Sequence, residues 1–210
     1  MGPKENLFVT KRNGRGKESL NIDKIHSMVE FATDGITGVS ASQVEMNSGI
    51  QFFDGISTED IQQILIKSAN DLISLENPNY QYVAARLLLF SLRKSLFHRL
   101  WEHPTLLKHI KTCVKKGVYD KAILEKYDES EIDRMNMWID HERDYNFTYA
   151  GLRQVIDKYL VQDRSSGEIY ETPQFMYMMI AATIFSNYPK NKRMTYVKKY
   201  YDATSKFKIN

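Results

Sequence analysis

The stretch that decides the reading covers residues 9–24, VTKRNGRGKESLNIDK. Leu7-Phe8-Val9-Thr10 leads into it as a short strand. Lys11-Arg12-Asn13-Gly14-Arg15-Gly16-Lys17 follows, with four basic residues and two glycines in seven. Asn-Gly is a strong reversal signal, and glycine accepts positive φ without a Cβ clash. Asn21-Ile22-Asp23-Lys24 then starts a helix. A basic turn between strand and helix can hold phosphate through ammonium, guanidinium and free backbone N–H donors. It is not a Walker A loop, because Gly14 and Gly16 are too close together. Taken alone, it reads better as a solvated hairpin whose charges keep a sheet edge soluble.

Outward from this hairpin the periodicity turns helical. Ile25, Met28, Val29 and Ala32 fall on one helical face, with Asn21 as cap and Gly35 as stop. Ser40-Ala41-Ser42-Gln43 begins a second helix as a capping box, reaching about Ile50. After a turn over residues 52–56, a third helix starts at Ser57 or Thr58 and carries Ile61, Ile64, Leu65, Ser68 and Leu72. Asn77-Pro78 closes it. The fourth helix, about 79–97, is apolar nearly all round and therefore central. Arg86 inside it needs a partner, while Arg93 and Lys94 sit in its last turns, where the helix dipole favours cations. Residues 1–95 thus read as a hairpin laid over four helices.

Beyond residue 100 come helices over 104–117, 121–126, 130–138 and 149–159, with a charged bend at 139–144. Residues 159–170 read as a second β-hairpin around Asp163-Arg164-Ser165-Ser166-Gly167. Thr172-Pro173 opens another helix that is apolar all round, and Pro189 opens a last basic one ending near Thr204. The fold class is α+β and mainly α-helical.

Composition narrows the function classes. The chain has 210 residues, 42% hydrophobic and 26% charged, which is ordinary for a soluble globular protein. It has no apolar run long enough to span a membrane and no signal-peptide core, so a cytoplasmic protein without a membrane partner is expected. Net charge is only +3, weak support for a nucleic-acid partner. Cys113 is the sole cysteine, and it reads as a buried inert thiol. The five histidines lack metal-ligand spacing, so no metal site is expected from side chains. Asp140-His141-Glu142-Arg143-Asp144 reads as ion pairing and capping on a bend. No catalytic constellation stands in the chain.

Several blocks carry a resemblance over essentially the whole length. Leu7-Phe8-Val9-Thr10-Lys11-Arg12, Asn21-Ile22-Asp23-Lys24-Ile25 and Tyr80-Gln81-Tyr82-Val83-Ala84-Ala85-Arg86 are three of them. Ile169-Tyr170-Glu171-Thr172-Pro173-Gln174-Phe175, Phe185-Ser186-Asn187-Tyr188-Pro189 and Tyr200-Tyr201-Asp202-Ala203-Thr204 are the others. Together they resemble the N-terminal part of the class Ia ribonucleoside-diphosphate reductase large (alpha) subunit. The resemblance implies an ATP-cone over residues 1–95, an overall-activity regulatory domain. Residues 96–210 would belong to the helical domain that precedes the catalytic barrel. It implies ATP or dATP as allosteric effector, normally with Mg²⁺. The positions it points to are Val9, Lys11, Glu18, Ser19, Leu20, Asn21, Ile22, Asp23, Lys24, Thr58 and Lys94. Lys11 and Lys94 would meet phosphate, Thr58 would donate a hydroxyl, and Glu18 and Asn21 would read the base edge.

The same resemblance implies three partners: the remainder of the large subunit with its catalytic barrel, a second large subunit, and the small radical-generating subunit. The chain departs from the family in a longer hairpin turn and in carrying Gln62 and Ser91 where well-known members have histidines. The family's catalytic cysteines would lie beyond Asn210, so this polypeptide alone is expected to be inactive as a reductase. The alternative is a structural or assembly piece of a split or truncated reductase whose cone no longer binds. A DNA-binding regulator built on a cone would need a zinc ribbon, which a single cysteine cannot supply.

Overall fold

A computed structural model describes residues 7–11, 16–49, 51–99 and 102–209. The chain forms two compact units. The first comprises Met1–Ser91 with Phe147–Leu152, and the second Leu92–Asn146 with Arg153–Asn210.

In the first unit, β1 (Phe8–Thr10) and β2 (Lys17–Ser19) pair antiparallel, with Val9 opposite Glu18. The Arg12–Arg15 part of the turn lies outside the described residues. Helix α1 (Ile22–Thr33) starts where the Asn21 side chain accepts the Lys24 N–H at 2.9 Å. Gly35 at φ +69 lets the chain leave this helix. Helix α2 (Ala41–Gly49) is followed by α3 (Thr58–Asp71), whose cap is Ser57. Ser40 at the start of α2 gives its N–H to the Tyr80 hydroxyl, which in turn donates to Gln43. Helix α4 (Tyr80–Phe97) is the central helix expected from its all-round apolar sequence: Val83, Ala84, Ala85, Leu87 and Leu89 are all buried. Arg86 on α4 finds its partner at the end of α1, donating to the Asp34 carbonyl at 2.6 Å.

The second unit strings together α5 (Leu106–Lys115), α6 (Ala122–Lys126) and α7 (Glu129–Trp138). After these come a 3₁₀ turn over His141–Asn146, then α8 (Tyr149–Lys158), which crosses the division between units. Helices α9 (Pro173–Ile184) and α10 (Lys190–Ser205) complete it. Its core is Leu106, Ile110, Ile132, Met135, Phe175, Met178, Ala181, Val197 and Tyr201.

Two sequence expectations change here. The second hairpin narrows to a single bridge, Gln162 to Ile169. Its turn is held instead by side chains: Asp163 accepts the Ser165 N–H at 2.8 Å, and Glu171 accepts the Val161 N–H at 2.8 Å. Arg93 is not a solvated cation at a helix end. It is 2% exposed and lies 3.4 Å from the fully buried Asp144, which had been assigned to a charged bend.

Candidate functional site

The first unit builds its site around β1, whose two edges are both hydrogen-bonded. On one edge Lys11 donates to the Gly16 carbonyl and Leu20 to the Leu7 carbonyl, continuing the hairpin. On the other, Thr10 donates to the Ile56 carbonyl and Gly55 to the Phe8 carbonyl, while the Phe8 N–H reaches the Asp54 carboxylate at 2.8 Å. A parallel bridge joins Thr10 to Ser57, so the chain at Lys11 runs beside the start of α3 at Thr58.

This arrangement explains where the sequence-derived candidates fall. Val9 is buried beneath the hairpin, and Lys11 stands exposed at the end of β1. Glu18, Ser19, Leu20, Asn21, Ile22, Asp23 and Lys24 form one continuous piece, from β2 into the first turn of α1. Thr58 opens α3. These ten positions sit on segments joined through β1. Lys94, exposed in the last turns of α4, belongs to the other unit.

Charge is partly paired in this state. Lys11 Nζ lies 2.9 Å from Glu18, both about half exposed, so the contact is solvent-screened. The two helix N-termini beside β1 are already served. Asn21 caps α1, and Ser57 Oγ accepts the Asp60 N–H at 2.9 Å. Acidic residues Asp23, Glu59 and Asp60 occupy their first turns. An anion here therefore depends on Lys11 more than on a bare helix end. Among the described residues, no group of three or more His, Cys, Asp or Glu could hold a metal ion. A divalent cation would have to arrive with oxygen ligands of its own, as Mg²⁺ does on a polyphosphate.

Gln62 and Ser91 are interior groups. Gln62 is 3% exposed and donates from Nε2 to the Leu87 carbonyl at 3.0 Å, joining α3 to α4. Sequence reasoning missed the 54–57 segment as the second neighbour of β1. The available signal was Ser57 three residues before Asp60, which marks a capped helix start beside a Gly-containing turn.

The second unit holds a separate buried polar network. Arg93 donates to the His141 carbonyl at 2.7 Å and to the Tyr145 hydroxyl at 3.0 Å, besides facing Asp144. Asp144 also accepts from Gln174 at 2.8 Å, and Gln174 accepts from Tyr201 at 2.6 Å. Burial pushes the Asp144 carboxyl up to about 6 against the opposing charge of Arg93. The His103 and His141 rings stack at 3.7 Å. Burial lowers His109 to about 4, and burial with the neighbouring His103 and Arg93 lowers His141 to about 2. Cys113 is buried, and that burial raises its thiol to about 11, which keeps it protonated and inert at neutral pH. These groups hold the interior together; none faces an open reaction centre.

Comparison with known proteins agrees with this layout. Residues 7–95 match the ATP cone domain, and residues 145–210 match the ribonucleotide reductase all-alpha domain. The chain is 51% identical over 98% of its length to ribonucleoside-diphosphate reductase 1 subunit alpha of Escherichia coli, of which it covers 27%. It is 50% identical to the alpha subunit of Haemophilus influenzae, over 98% of this chain and 27% of that one. Against the alpha subunit of Enterobacteria phage T4 it is 41% identical, over 92% of this chain and 25% of that one. The chain spans about a quarter of the length of these relatives. No helix among the described residues is long and apolar enough to cross a membrane. The chain belongs to the ribonucleoside-diphosphate reductase alpha-subunit family, in which it corresponds to the N-terminal region and begins with an ATP cone.

Proposed function

We propose that residues 1–95 are a regulatory domain that binds ATP or dATP, with Mg²⁺ carried on the phosphates, and that residues 96–210 start the helical domain of a reductase large subunit. The observation that carries this reading is the gathering of Lys11, the 18–24 segment and Thr58 around β1 inside the region matching an ATP cone. Lys11 supplies phosphate charge, exchanging Glu18 for the ligand. Glu18 and Asn21 read the base, Ser19, Leu20, Ile22, Asp23 and Lys24 line base and ribose, Val9 forms the floor, and Thr58 donates its hydroxyl. Lys94 contributes a second phosphate contact. Occupancy biases association with the remainder of the large subunit, a second large subunit and the small radical-generating subunit in the cytoplasm, and so regulates ribonucleotide reduction.

Titration calorimetry of the chain with MgATP and MgdATP tests the reading. Binding in the micromolar range is expected, with Lys11→Ala weakening it by about tenfold, the loss of one charge-assisted contact. No heat from a folded chain overturns it. A second reading, a cone that no longer binds, is favoured by the Lys11–Glu18 pair and by Gln62 turned inward onto Leu87. It predicts that absence of heat.

A further inference from the structure

Helix α9 carries no charged residue, yet only part of its surface is covered. Phe175, Met178, Ala181 and Ala182 point into the core, whereas Ile180 and Ile184 are 40% and 48% exposed. Met179, Ile180, Thr183 and Ile184 follow at helical spacing and make one stripe. They form a wall of a groove of 490 Å³ whose far side includes Ile123 and Val161. The polar groups at its floor already serve each other: Tyr119 donates to Glu171, which also accepts the Val161 N–H. The groove therefore offers apolar contact and little grip for a small charged metabolite.

We infer that this groove seats an apolar segment from the three quarters of the alpha subunit that the relatives carry outside the matched region. Those relatives are nearly four times as long as this chain, so most of the polypeptide they fold lies outside the two units seen here. A concave wall of this kind fits a convex apolar insert. A second copy would present the same concavity and is the poorer match. The inference rests on family membership and is independent of nucleotide binding, so a calorimetric failure of the cone reading leaves it standing.

The test joins this chain to the remaining part of the Escherichia coli alpha subunit as a chimera and compares it with the chain alone. Ile180→Cys is introduced in both, and maleimide labelling is read by peptide mapping. The native Cys113 is buried. Leu75→Cys, at a 97% exposed position of the first unit, is the control. Ile180→Cys is expected to label at least tenfold more slowly in the chimera than in the chain, with the control unchanged. Equal rates overturn the inference. Protection already present in the chain alone, and rising with concentration, overturns it in favour of a second copy. Ile184→Asp is expected to lower the Tm of the chimera by several degrees and to leave that of the chain within about a degree; equal shifts, or a wild-type chimera that does not fold, count against the proposal.

Discussion

Replacing Arg93 with methionine removes a guanidinium from the interior of the second unit while keeping much of its apolar volume. Asp144 then keeps Gln174 as a donor but loses the only cation recorded beside it, and the His141 carbonyl loses a 2.7 Å donor. Breaking a buried ion pair from one side costs about 3–5 kcal/mol. Because Arg93 stands 3.4 Å from the carboxylate, longer than a strong charged hydrogen bond, the loss belongs near the lower end, about 3 kcal/mol. The pH dependence is diagnostic. The folded Asp144 carboxyl already lies above its ordinary value, at about 6, so the folded state holds a proton that the unfolded chain has released. Stability from this group falls as pH rises from about 4 through that value. Without Arg93 the folded pKa climbs further and the falling window extends upward. The penalty of Arg93→Met is therefore largest near pH 7.5 and smaller at pH 5.5, by more than about 1 kcal/mol, given about 1.4 kcal/mol per pH unit for one proton. Asp144→Asn in the same background removes the stranded charge and recovers part of the loss. Urea unfolding followed by circular dichroism at the two pH values measures all three. A loss below about 1 kcal/mol, no change with pH, or no relief from Asp144→Asn would refute this account of the network.

Two other outcomes follow from the same geometry. His109 is held neutral with its pKa lowered to about 4, so its unfolded form binds the extra proton below about pH 6.5, and its contribution is lost as pH falls from there towards 4. The stability difference between wild type and His109→Phe, followed as Tm from pH 7 to pH 4.5, should shrink on acidification; a constant difference would remove the burial argument. Ser57→Ala deletes the side-chain cap of α3 and should cost about 1 kcal/mol in chemical denaturation, with Ser57→Gly costing less.

Much of this architecture was legible from spacing. Asn21, Ser57 and Thr172-Pro173 mark helix starts because side-chain caps and proline at the first turn are local chemistry, and the structure begins α1, α3 and α9 there. The apolar run of α4 placed it centrally for the same reason. Pairings distant in sequence were not legible. Arg93 and Asp144 are 51 residues apart, and nothing local tells a cation at a helix end from one folded inward onto a carboxylate. The bridge from Thr10 to Ser57 was hidden likewise, since a lone parallel contact leaves no alternation in the sequence. Around residues 159–170 the pattern overstated the ladder, because Asp163 and Glu171 satisfy N–H groups that strands would otherwise pair. The site residues were named through family resemblance; composition alone left the basic turn a solvated hairpin.

The doubly bonded strand β1 has a mechanical consequence. Even-numbered residues Phe8 and Thr10 are tied to the 54–57 segment, and odd-numbered Leu7 and Lys11 to the returning arm of the hairpin. A three-residue strand stitched along both margins cannot slide against one neighbour without dragging the other. Any displacement of the backbone at Lys11 is thus passed on to the first turn of α3, and from there, through Gln62, to the Leu87 carbonyl in the middle of α4. The shortest β element of the chain works as a rigid link, transmitting a push at the hairpin tip to the central helix.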